Sequence, residues 1–61
     1  MFVKIENFAN GKPLIINVDN IVSIYFSEEE NTYIVCTIDK HYYCIEEQQY
    51  TELCKILTTR L

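Results

Sequence analysis

The chain has 61 residues, 49% of them hydrophobic, with one glycine, one proline and three cysteines, and nine acids against five bases give a formal net charge of −4. Such a length makes one small domain, and the apolar fraction excludes a disordered tail. The bases Lys4, Lys12, Lys40, Lys55 and Arg60 are scattered, which argues against direct nucleic-acid binding, and no apolar run reaches the roughly 18 residues that cross a bilayer, which argues against a membrane role.

Met1 leads into Phe2-Val3-Lys4-Ile5-Glu6, a charged alternating run unlike a secretory leader. With an odd number of cysteines, this favours reduced thiols and a cytoplasmic protein. Residues 2–8 form the first expected strand. Asn10-Gly11 reads as a two-residue type I′ turn, because both positions tolerate positive φ. The returning strand covers 13–18, with Ile5 opposite Ile16 and Val3 opposite Val18; Pro13 near its start costs no needed N–H. Asp19-Asn20 breaks the run before a third strand over 21–26. Glu28, Glu29 and Glu30 then lie in a solvated turn. Strands over 32–38 and 41–45 flank Asp39-Lys40, read as another two-residue turn. From Glu46 the period changes: Tyr50, Leu53, Cys54, Leu57 and Leu61 share one face of a helix over 47–60. Glu46 and Glu47 at its N-terminal end and Arg60 in its last turn suit the helix dipole. The expected fold is α+β, a five-strand antiparallel β-meander with one C-terminal α-helix packed on one face, a single domain over 1–61.

The stretch CTIDKHYYC, Cys36 to Cys44, surrounds the only histidine with two thiols. A two-residue turn sets Ile38 opposite His41, Cys36 opposite Tyr43 and Val35 opposite Cys44. Cys36 and Cys44 then point to opposite faces and cannot share a tetrahedral zinc. A three-residue loop would instead bring Cys36 opposite Cys44. His41 shares a face with Cys36 only diagonally, Cys54 is a helix core position, and no C-x2-C pair is present. A thiol nucleophile needs a positioned base and an oxyanion hole, whereas His41 reads as a turn residue. The three consecutive glutamates project in different directions and lack the spacing of a calcium loop. The single glycine is used in a turn, which leaves none for a phosphate loop. The sequence therefore predicts no catalytic residues, no cofactor and no metal.

What remains is the surface. Alternation puts Val3, Ile5, Leu14, Ile16, Val18, Val22, Ile24, Phe26, Ile34, Cys36, Ile38, Tyr43 and Ile45 on the face that receives the helix. Phe2, Phe8, Ile15, Ile21, Tyr25, Tyr33, Val35, Tyr42 and Cys44 fall on the other, among Lys4, Glu6, Asn17, Ser23 and Thr37. Three tyrosines and several aliphatics suit a protein contact surface better than a solvated one. The expected interface is Tyr25, Tyr33, Val35, Tyr42, Ile15 and Phe2, and the expected assembly is a homodimer, with another protein as the second kind of partner. The function expected is a small regulatory interaction module. The alternative is an acidic inhibitor from a phage or mobile element, anti-CRISPR-like, using Glu28, Glu29, Glu30, Glu46 and Glu47 to occupy the basic groove of a nucleic-acid-handling enzyme.

The order of features resembles the small FlbD-like flagellar proteins. It runs from an opening strand through Asn10-Gly11-Lys12 and an apolar strand to Ile16-Asn17-Val18-Asp19-Asn20-Ile21-Val22-Ser23-Ile24. A Thr-rich strand pair follows, then Glu46-Glu47 leading into an amphipathic helix. The resemblance implies a flagellar role and a strand-rich fold. Val18 to Leu57 also looks like part of a LytTR-type domain, a longer module that is basic where it meets DNA; the shared feature is the β-meander pattern.

Overall fold

Alternating apolar residues drive the first five regular elements, and a helical stripe drives the last. The computed structural model describes residues 1–59, so the expected positions of Arg60 and Leu61 in the last helical turn lie outside the described residues. The strands are β1 (Phe2–Asn7), β2 (Lys12–Asn17), β3 (Ile21–Ser27), β4 (Thr32–Thr37) and β5 (Tyr42–Ile45), followed by helix α1 (Glu47–Thr58). A short 3-10 turn, Val18–Asn20, joins β2 to β3.

The strands do not form the single meander that the sequence predicts. β1 and β2 make a two-stranded antiparallel ribbon, and β3-β4-β5 make a separate three-stranded sheet. The cause lies at Asn17, whose Oδ1 accepts the Asp19 N–H at 3.0 Å and caps the 3-10 turn. This turn buries Val18 to 1% exposure and swings the chain out of the ribbon, so β2 does not pair with β3. The two sheets touch at another point, where the Phe8 N–H donates to the Cys44 carbonyl at 2.7 Å.

All three hairpin loops end on a left-handed residue. In the first, Asn7 pairs with Lys12 around the loop Phe8-Ala9-Asn10-Gly11, and Gly11 has φ +69°. The Asn7 carbonyl accepts from both Asn10 (3.2 Å) and Gly11 (2.7 Å), so the two-residue turn expected at Asn10-Gly11 is replaced by a wider loop. The pairing therefore moves by two, setting Val3 opposite Ile16 and Ile5 opposite Leu14. Side chains keep their faces, because strand geometry repeats every two residues. In the second loop, Glu28 to Asn31, the closing residue is Asn31 at φ 54°. In the third, Ile38-Asp39-Lys40, it is Lys40 at φ 65°, with the Thr37 N–H donating to the His41 carbonyl at 3.0 Å.

That third loop has one residue more than the sequence predicts, and the parity of β4 changes with it. Val35 lies opposite Tyr43 and Cys36 opposite Tyr42. Tyr33 and Val35, expected on the contact surface, face inward, whereas Ile34 and Cys36, expected inward, face outward. β3 is irregular at Val22, which has no β4 partner between the pairs Ile21–Thr37 and Ser23–Cys36. This bulge turns Ile21 toward the core and leaves Val22 exposed, again the reverse of simple alternation.

The core is Ile5, Ile16, Val35, Ile45 and Leu53, lined by Val3, Leu14, Ile21, Ile24, Tyr33, Tyr43 and Tyr50. The helix joins it mainly through Leu53 and through Tyr50, whose ring lies 4.3 Å from that of Tyr33. Cys54, Ile56 and Leu57 are only half-buried, so this is a light attachment. Glu46 makes no side-chain cap, although its carbonyl accepts the Tyr50 N–H at 3.0 Å.

A Cβ added at Gly11 meets nothing within 4 Å, so the penalty there is purely conformational. Gly11→Ala is expected to cost about 1 kcal/mol in urea denaturation. Lys40→Gly should go the other way and gain about 0.5 kcal/mol, since relief of the left-handed backbone exceeds the entropy that glycine adds to the unfolded chain. Equal effects of the same sign would refute the left-handed account of these loops.

Candidate functional site

The outer face of β3-β4-β5 carries Tyr25, Ile34, Cys36, Tyr42 and Cys44, by the pairings Tyr25–Ile34, Ile34–Cys44 and Cys36–Tyr42. Tyr25 and Tyr42 are 40% and 62% exposed, whereas Ile34 between its neighbours is 5% exposed. The Tyr42 phenol is pushed above its usual range, first by its hydrogen bond to Cys36 and then by the electrostatics of Cys36 and Tyr25 beside it. The patch is thus two tyrosine rims around a thiol, apolar in body and polar at its tips.

Cys36 and Cys44 share this face, which corrects the expectation that they point apart. A three-residue loop does form, but it sets Cys36 opposite Tyr42 and leaves Cys44 one diagonal step away. By the same alternation His41 belongs to the opposite face, beside Tyr43, whose hydroxyl lies 3.3 Å from His41 Nδ1. All three cysteines are free thiols, and among the described residues no three His, Cys, Asp or Glu side chains gather into a metal-binding group.

The remaining expected contact residues are dispersed. Phe2 and Ile15, both 70% exposed, lie on the outer face of the β1-β2 ribbon, where Lys4 pairs with Ile15 and Phe2 with Asn17. Val35 is 0% exposed and has no surface to offer, whereas Tyr33 is half-buried against Tyr50 and lies on the inner side of the sheet, apart from Tyr25 and Tyr42. Glu28, Glu29 and Glu30 are exposed on the β3–β4 loop, where Ser27 Oγ accepts the Glu30 N–H at 3.2 Å. Val22, Phe26 and Ile38, assigned inward from sequence, are exposed. Phe26 meets Tyr33 edge-on at 5.0 Å and, with Phe8, Glu46 and Glu47, borders an open groove of about 270 Å³. Phe8 belongs to a loop rather than a periodic strand, so its part in that groove has no sequence signal.

At the β4–β5 tip, Thr37 is buried and donates its hydroxyl to the Asp39 carboxylate, which also lies 3.1 Å from His41 Nδ1. The Thr37 hydrogen bond lowers the Asp39 pKa, with the His41 charge as a smaller cause of the same sign and desolvation opposing. The hydroxyl is directed at a carboxylate, not at the imidazole. This arrangement fastens the loop and does not prepare a nucleophile.

Comparison with protein-family models, curated proteins and solved structures gives no match. Among the described residues no helix is long and apolar enough to cross a membrane.

The lowered Asp39 pKa fixes a sign. Its contribution is present above the unfolded carboxylate pKa and disappears as pH falls through the folded value. Thr37→Val, which keeps the shape and removes the hydroxyl, should raise the Asp39 midpoint to the ordinary carboxylate range in an NMR titration. An unmoved midpoint would assign the shift to His41.

Proposed function

We propose that this protein is a small cytoplasmic interaction module with a regulatory role, acting by self-association or partner binding and not by catalysis. One observation carries the reading. Among the described residues seven hydrophobic side chains are buried, whereas nine large ones, Met1, Phe2, Phe8, Ile15, Val22, Tyr25, Phe26, Ile38 and Tyr42, are exposed. Single exposed apolar residues need no explanation, but here they outnumber the core and recur on both sheets. Covering such a surface releases about 25 cal/mol per Å² of apolar area, so a partner gains more from it than the isolated chain does.

A second reading, the acidic inhibitor of a nucleic-acid-handling enzyme, draws support from the distribution of acids. Glu6, Glu46 and Glu52 line one recess beside the helix, and Glu47 joins Glu46 at the neighbouring groove. Glu28, Glu29 and Glu30 follow β3 on a loop whose last residue, Asn31, borders the same groove.

Affinity capture from the native host with the full chain as bait separates the two. For the module, a protein bound by the wild type should bind Tyr42→Glu at least tenfold more weakly when the purified pair is measured directly, as expected for an aromatic anchor. A flagellar or signalling partner would fit the family resemblance. For the inhibitor, the retained protein should be a nuclease or nucleoprotein, lost at high salt and with Glu46→Lys/Glu47→Lys but not with Tyr42→Glu. Identical binding, by all variants, of a partner other than the chain itself would defeat both readings.

A further inference from the structure

Resting on the interaction-module reading, we propose that β3 is an open sheet edge whose occupant is β3 of a second copy, paired antiparallel across a two-fold axis at Tyr25. Five of its seven residues are apolar, none is charged, and none is buried. β4, its only paired neighbour among the described residues, buries three of six. An uncharged strand with an unpaired backbone row is what sheet edges normally guard against. The other open edge is guarded: β2 begins with Lys12-Pro13, a charge followed by a residue without an N–H. The far side of β5 already receives the Phe8 N–H.

The sequence of β3 selects its own partner. The bulge at Val22 leaves Ser23-Ile24-Tyr25-Phe26-Ser27 as the regular segment. This run is symmetric in polarity about Tyr25. An antiparallel two-fold there sets Tyr25 against the partner's Tyr25, Ile24 against the partner's Phe26 and Ser23 against the partner's Ser27. Apolar meets apolar, polar meets polar, and no like charges are opposed. The orientation is selected too. Parallel pairing would lay the two Glu28–Glu30 loops side by side, whereas antiparallel pairing sends them to opposite ends, roughly 20 Å apart at strand spacing and beyond a Debye length. A contact this short sits at the small end of specific interfaces, so a micromolar dimer is expected.

Sedimentation of the full chain, with circular dichroism as the folding check, tests this with three variants. The wild type should be dimeric at tens of micromolar. Tyr25→Lys and Tyr25→Glu, each placing like charges across the axis, should weaken the dimer at least tenfold while remaining folded. Mixing these two variants should restore it, because opposite charges then meet. Tyr42→Glu, two strands from the edge, should leave the dimer intact. A monomeric wild type, dimeric Tyr25 variants, or a dimer dissociated by Tyr42→Glu alone would each overturn the proposal. A monomer that still binds another protein through Tyr42 would remove this inference and leave the module reading standing. A monomer whose partner is lost with Tyr25→Lys would mean that a foreign strand occupies the edge.

Discussion

The inner side of β4 is set by the backbone of Lys40. Its φ of 65° closes a three-residue loop, and an odd loop gives β4 the opposite parity from an even one. With this parity Val35 enters the core opposite Tyr43, and Tyr33 meets Tyr50 of the helix at 4.3 Å. The other parity would offer Ile34 and Cys36 to the helix and turn Tyr33 away from it. Thr37 and Asp39 hold the loop from inside the hairpin, so the buried hydroxyl and the left-handed backbone act on the same element.

As the middle strand of three, β4 tolerates this choice because it is apolar on both sides. Val35 is 0% exposed on the inner face and Ile34 5% on the outer, covered there by its cross-strand neighbours. Neither side costs a stranded polar group, apart from Thr37, whose hydroxyl has a partner. The edge strand β3 has no such cover. It carries similar residues with none buried, and the difference is position, not composition.

Legibility in the sequence followed parity. The β1–β2 pairing was displaced by two, and Val3, Ile5, Leu14 and Ile16 nevertheless faced the core as alternation predicts. The β4–β5 pairing was displaced by one, and every β4 side chain changed sides. Tyr33-Ile34-Val35-Cys36 offers no polar residue to mark the outside, and no glycine marks a three-residue loop at Asp39-Lys40. The helix was legible because its apolar stripe repeats at helical spacing and acidic Glu47 stands in its first turn. The bulge at Val22 and the 3-10 turn after Asn17 were not, since an extra residue and a side-chain cap are local events with no periodic trace. Of the candidate surface, Tyr25, Tyr42 and Cys44 were therefore legible, while Ile34 and Cys36 emerged only once pairing was fixed.

The division into two sheets also explains why so much apolar surface stays uncovered. A 12-residue helix is about 18 Å long and about 10 Å wide, the width of roughly two strands. It can close one side of the space between the ribbon and the sheet, and Leu53 and Tyr50 do so. The outer faces of both layers then have no element left in the described chain to cover them. Proteins of this size commonly supplement a small core with a metal, disulfides or association. Here the apolar residues gather on outer faces and on one unguarded edge. The association proposed above would cover such surfaces, and stability gained that way would rise with protein concentration.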